Sequence, residues 1–231
     1  MDKLYDKDEL FDLVNDEQAN IDLNRLYPLA TDTDSEVRLL VAELLSRDRT
    51  LNSENTLLDL LKDEDELVRA EACDSLSYFT GAKVLDALMF SLKNDEAEIV
   101  RCYALQSYWD AYFNENKSLK KDDMASVLSE IFELEKSIQV KLVCAGFLYL
   151  CGHLDMLDYL LQELDNTDQY IRNTVMNSLV LISNEENIHN LQLKLKPYYH
   201  KESAEFVKKK IGAFLSYTDD MLDELKKSGN G

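Results

Sequence analysis

Proline and glycine are scarce in this chain, two and six among 231 residues. Both normally punctuate the backbone, so their scarcity leaves long unbroken stretches and excludes an architecture of many short strands and tight turns. Histidine is as thin, with only His153, His189 and His200. None stands three or four residues from another histidine or a cysteine. Cys151 and His153 are two apart, which turns them to different faces of a helix, so a zinc site lacks convergent ligands. The four cysteines, Cys73, Cys102, Cys144 and Cys151, form no CxxC pair. They are expected as buried free thiols in a reducing compartment. No glycine-rich phosphate loop, GxGxxG or GxSxG occurs. The acidic clusters Asp63–Glu66, Asp122–Asp123 and Asp219–Asp220 lack the alternating ligands and turn glycine of a calcium loop, and they read as solvated helix starts. The expectation is no cofactor, no metal and no enzyme. No apolar run reaches the roughly 18 residues that span a bilayer. The opening "MDKLYDKDEL" has neither a basic nor an apolar leader segment, which predicts a cytoplasmic protein.

Acid is what the chain has in excess. Asp and Glu number 45 against 25 Lys and Arg, a net charge of −20. Such a field repels phosphate backbones and anionic lipid, which excludes nucleic acid and membrane as partners, and it attracts basic proteins. The field is graded. Residues 1–66 hold 19 acids and 7 bases, whereas residues 197–231 hold 6 of each.

The stretch "DEDELVRAEACDSL" (Asp63–Leu76) is one of six similar segments. The others run Asp32–Leu45, Asp95–Tyr108, Glu135–Leu148, Asn166–Leu179 and Glu202–Leu215. In each, a β-branched residue precedes a basic one: Val37-Arg38, Val68-Arg69, Val100-Arg101, Val140-Lys141, Ile171-Arg172 and Val207-Lys208. The basic residues are spaced by 31, 32, 40, 31 and 36, the period of stacked structural units. Apolar residues one before, three after and seven after the basic position make one helical stripe (B). A second amphipathic run (A), such as Val84–Leu92 or Leu154–Leu164, lies between the copies. Neither helix buries its stripe alone, so the units must stack. Asp34, Asp65 and Asp168, four residues before Arg38, Arg69 and Arg172, are placed to cap the B helices. Arg101 takes the same basic position in the third copy. Each basic residue is one turn into its helix and can reach an acid on its own unit or the next. Gly81 and Gly152 are expected as B-helix C-caps.

These Asp-x-x-x-Arg pairs, followed by the small residues Ala42, Ala72, Ala104 and Ala145, resemble the HEAT repeat, in particular the short type found in phycobilisome-lyase-like proteins. The resemblance covers about residues 21–215. It implies an all-α fold, an α-solenoid of about six antiparallel helical hairpins in one domain, with a concave B-helix face that binds proteins. A capping helix is expected within residues 1–20 (Lys3–Val14) and a C-terminal helix (Asp219–Lys227) and frayed tail within 216–231. Some HEAT-like proteins are alkyl-purine DNA glycosylases, but those need a basic groove, which this chain lacks. Some short-type members are bilin lyases or chaperones of phycobiliproteins, the alternative function.

On a helical wheel the positions two, five and nine after the basic residue point away from the core. They are Glu71, Asp74 and Tyr78 in the second copy, and Tyr103, Gln106 and Asp110 in the third, with Trp109 beside them. Asn177 belongs to the fifth. Tyrosine and tryptophan among acids make a protein-binding composition. The expected function is a monomeric, non-catalytic module that binds a basic protein as adaptor or inhibitor, the toxin-immunity type among them. The 40-residue gap between copies three and four predicts either a lengthened B helix or a protruding loop, Asn114–Lys121.

Overall fold

The computed structural model describes residues 3–115 and 121–228. Among them the chain is all helical, with no strand. Contacts divide it into two compact units, Met1–Leu119 and Lys120–Gly231.

In the first unit the B helices are α3 (Ser35–Leu45), α5 (Glu66–Leu76) and α7 (Glu98–Glu115). They pack side by side in chain order, α3 on α5 and α5 on α7. Their A partners are α2 (Leu23–Leu26) with a 3-10 turn (Tyr27–Thr31), α4 (Leu51–Leu60) and α6 (Ala82–Asn94). The predicted caps are in place: the Asp34 and Asp65 carboxylates accept the amides of Glu36 and Leu67. Val68, Ala72 and Leu76, the predicted core stripe of α5, are fully buried. The amino-terminal helix α1 (Lys7–Asn15) starts later than Lys3, because Asp6 and Glu9 form a reciprocal capping box that defines its first turn. α1 packs on α3. Arg47, at the end of α3, donates to the carbonyls of Leu13, Val14 and Asp16 and so closes the C-terminus of α1.

In the second unit the B helices are α9 (Ile138–Leu150), α11 (Gln169–Ile182) and α13 (Glu205–Ser228). α8 (Lys121–Leu134), α10 (Met156–Gln162) with a 3-10 turn, and α12 (Ile188–Lys201) complete the hairpins. One core runs through them, with Leu142, Leu160, Val175, Leu179, Leu191 and Val207 at its centre. Asp168 caps α11 as predicted. Ser137 replaces aspartate as the cap of α9. Gly146 lets α11 approach α9 closely, since an added Cβ would stand 3.3 Å from Ser178.

One of the two glycine expectations holds, and two local expectations are corrected. Gly152 does follow α9 with φ +104°, and the His153 and Gly152 amides reach back to Leu148 and Tyr149 in a Schellman cap. Gly81, with φ +117°, instead opens α6, because α5 has already ended at Leu76. The C-terminal segment is no separate helix. Thr218 is buried and returns its hydroxyl to the Leu215 carbonyl, so α13 continues through Asp219 unbroken. In the long third copy, α7 lengthens to Glu115. The remaining loop expectation at 116–120 and the tail at 229–231 lie outside the described residues.

Candidate functional site

The basic residues of the repeat tie consecutive units together. Arg38 donates Nε and NH2 to the two oxygens of Asp63, both at 2.7 Å, and its NH1 to the Asp32 carbonyl. Arg69 repeats this with Asp95 and the Asp63 carbonyl. Arg172 repeats it with Glu202 and the Asn166 carbonyl. Each fork therefore holds its own unit by a carbonyl and the next unit by a carboxylate. Open recesses of about 840 and 560 Å³ adjoin the first two forks. Their charged groups Arg38, Asp63, Arg69 and Asp95 are already paired, so this side of unit 1 is occupied by structural work.

The other side of α5 and α7 is different. Asp74, Tyr78, Gln106 and Asp110 are exposed, and Glu71 and Tyr103 are half-buried. Burial raises the Glu71 carboxyl to about 7, and Asp74 and Glu43 push it the same way, against a weak hydrogen bond from Ser75. Loss of hydration also raises Asp74. It raises Asp110, to which the Asp74 charge adds. Tyr103 is raised by burial and then by Asp74 and Glu71. Water reaches Asp74 and Asp110, yet enough protein surrounds them to cost hydration. Among the described residues no cation pairs with Glu71, Asp74 or Asp110. These carboxylates repel one another, and Tyr78 and Tyr103 lie on the same face.

Residues 23–109, which carry the first two forks and all of this face except Asp110, match the family model for HEAT repeats. Those residues are HEAT repeats. No curated protein matches the chain. Among solved structures, a chain of the CpcE–CpcF complex of phycocyanin lyase from Nostoc sp. PCC7120 is similar, with 14% identity and a TM-score of 0.47. The match covers 88% of this chain and 97% of that one. The archaeal HEAT-like repeats protein from Thermococcus onnurineus NA1 is 17% identical at a TM-score of 0.43, over 92% of each chain. The described residues form the stacked helical hairpins of a HEAT-like fold.

Within the HEAT repeats the B-helix geometry brings Glu71, Asp74, Tyr103 and Asp110 into one electrostatic cluster. Trp109 is half-buried and packs its ring 4.4 Å from Phe113 on the same helix. Asn177 belongs to the second unit, where it accepts a hydrogen bond from Lys210. Sequence reasoning missed Glu43 as a member of the cluster, although it lies five after Arg38 on the same wheel. It also missed four of the acids that stand six residues before a basic position: Asp32, Asp63, Asp95 and Glu202. Their oxygens accept the amide two residues on, and the last three also take the fork from the preceding repeat. The signal was present as a constant offset. It was overlooked because Asp34, Asp65 and Asp168 are the nearer candidates. Those three cap their own helices instead, and Asp34 also takes Lys7.

Of the cysteines, Cys73 and Cys144 are buried, while Cys102 and Cys151 are only half-buried, and none of the four forms a disulfide. Burial pushes the Cys144 thiol up to about 12. No helix among the described residues is long and apolar enough to cross a membrane.

Proposed function

We propose that this protein is a non-catalytic binding module whose α5–α7 face, Glu71, Asp74, Tyr78, Tyr103, Gln106 and Asp110, receives a basic segment of a partner protein. The observation that carries the reading is the mutual repulsion of Glu71, Asp74, Asp110 and Glu43 on one face. A guanidinium or ammonium placed among them relieves that repulsion and recovers the cost of their lost hydration. Tyr78 already has the Arg49 guanidinium 5.7 Å from its ring centroid, so an aromatic here tolerates a cation over its face. The surplus acid of residues 1–119, 27 carboxylates against 12 bases, supports electrostatic steering of such a partner. We further propose that it works in the cytoplasm as a monomer, as adaptor or inhibitor. An inhibitor of a basic toxin, an immunity-type protein, fits the charge best.

Purification of the tagged protein from its native cells, with mass spectrometry of what remains bound, tests the reading. The expected result is a stoichiometric basic protein lost from Asp74→Asn and Asp110→Asn. A bound chromophore, or a partner indifferent to both substitutions, overturns it.

A further inference from the structure

The second unit presents the same helix face with opposite chemistry. Tyr170 and Phe206 stand two residues before Arg172 and Lys208, and their rings meet at 5.8 Å. Further along, Lys210 donates to the side-chain oxygen of Asn177. These two contacts set α11 and α13 in register along one stripe, with Leu181 and Tyr217 beyond. Tyr170, Phe206, Leu181 and Tyr217 are 61, 41, 46 and 57% exposed, large apolar groups left uncovered. The stripe positions two before and two, five and nine after the basic residue hold no acid on α11 or α13. On α5 and α7 they hold Glu71, Asp74 and Asp110.

Lys210 is the one charge on this stripe. It is half-buried, and desolvation lowers its pKa. Its partner among the described residues is a neutral amide oxygen, which answers one of three N–H donors and none of the charge. The group that answers the rest is a carboxylate. The apolar pairs on either side lie 11 residues apart on α11, about 16 Å along the helix, the length of roughly five extended residues.

We propose that the α11–α13 face docks a short acidic and apolar segment of a partner protein. One carboxylate pairs with Lys210, and flanking apolar side chains cover Tyr170–Phe206 at one end and Leu181–Tyr217 at the other. This face is independent of the α5–α7 face and selects the opposite charge.

The test uses the full-length protein and a fluorescein-labelled heptapeptide with Phe and Leu at both ends and Glu at its centre, read by fluorescence anisotropy. A second peptide carries Gln in place of Glu. The Glu peptide is expected to bind, and the Gln peptide to bind about tenfold more weakly. Lys210→Met, which keeps the apolar stem, should cost a similar factor, whereas Lys210→Arg should retain binding. Tyr170→Ser with Phe206→Ser should also weaken binding about tenfold, with melting of each variant followed alongside. Asp74→Asn should change nothing, which separates this face from the proposed function of the other. Absence of binding, equal binding of the two peptides, or indifference to Lys210→Met overturns the proposal. So does sedimentation showing that the Tyr170→Ser, Phe206→Ser protein loses a dimer, since a second copy would then be the occupant.

Discussion

Arg38 and Asp63 meet as a two-pronged fork across the seam between consecutive repeats, with both side chains 8% exposed. The pair is buried, bidentate and completed by the Asp32 carbonyl and the Asp65 amide. Burial alone would raise the Asp63 carboxyl; the Arg38 fork and the Asp65 amide outweigh it and hold the group below its usual range. The fork therefore fixes how one repeat sits on the next, while the apolar stripe supplies the affinity between them.

Removing one partner of that fork leaves a buried charge without an answer. Arg38→Met is expected to destabilise the protein by about 3–5 kcal/mol, measured by chemical denaturation. Converting both residues, Arg38→Met with Asp63→Asn, should recover a substantial part of the loss, because no uncompensated charge remains. If the double variant is no better than the single one, the pair's value lies in packing and not in charge.

Stability should also carry an imprint of Glu71. Its carboxyl moves from an ordinary 4.5 to about 7 on folding, so the folded protein holds this proton more tightly than the unfolded chain. The contribution is fully present below pH 4.5 and is lost as pH rises through about 7. The loss is at most about 3 kcal/mol. Denaturation midpoints between pH 5 and 8 should fall with pH in the parent and flatten in Glu71→Gln. Glu43→Gln should move the same transition to lower pH. Asp63 acts in a separate window: its depressed pKa adds stability that disappears as pH falls through the acid range below its ordinary 3.8.

The repeat class, the six B helices and three of their caps were legible because they rest on local rules. Asp34, Asp65 and Asp168 each stand one residue before an apolar 3.6-period run, and capping follows from that adjacency alone. The fork partners were half legible. The sequence placed Arg38 within reach of its own unit or the next, but which acid it takes depends on how two hairpins stack. The same limit applies to Glu36, one of the acids of the amino-terminal field. It is exposed as expected, yet Lys7 from α1 pairs with it and with Asp34, a contact no periodicity announces. The end of α13 was misread because Asp219–Asp220 looks like a helix start, whereas the helix simply continues.

If a basic segment binds the α5–α7 face, its kinetics should divide by residue. Glu43→Gln removes charge from the rim of the cluster and is expected to slow association and weaken its salt dependence. Tyr78→Ala is expected to speed dissociation by an amount on the order of 2 kcal/mol without lowering the melting temperature, since Tyr78 is 50% exposed. Tyr103→Ala should act similarly on dissociation but cost some stability, because it is half-buried. Surface plasmon resonance beside thermal melting separates the three.

The last prediction concerns one repeat position taken three times by serine, at Ser75, Ser107 and Ser178. Ser75 and Ser107 both stand six residues after the repeat arginine, on neighbouring helices, and both are 1% exposed. Ser75 donates to the Ala42 carbonyl of the preceding B helix at 2.9 Å, and Ser178 in the second unit does the same to Leu142. Ser107 is buried with no hydrogen-bond partner for its hydroxyl. A satisfied buried hydroxyl contributes about 1 kcal/mol, whereas an unanswered one costs a similar amount or more. Ser75→Ala should therefore destabilise by about 1 kcal/mol and also strand the Ala42 carbonyl. Ser107→Ala should be neutral or stabilise by about 1 kcal/mol, because alanine fits the same space without a polar atom to satisfy. Parallel urea titrations decide it: equal losses from both substitutions would mean that Ser107 finds a partner in solution, such as a buried water, and that the two repeats are stapled alike.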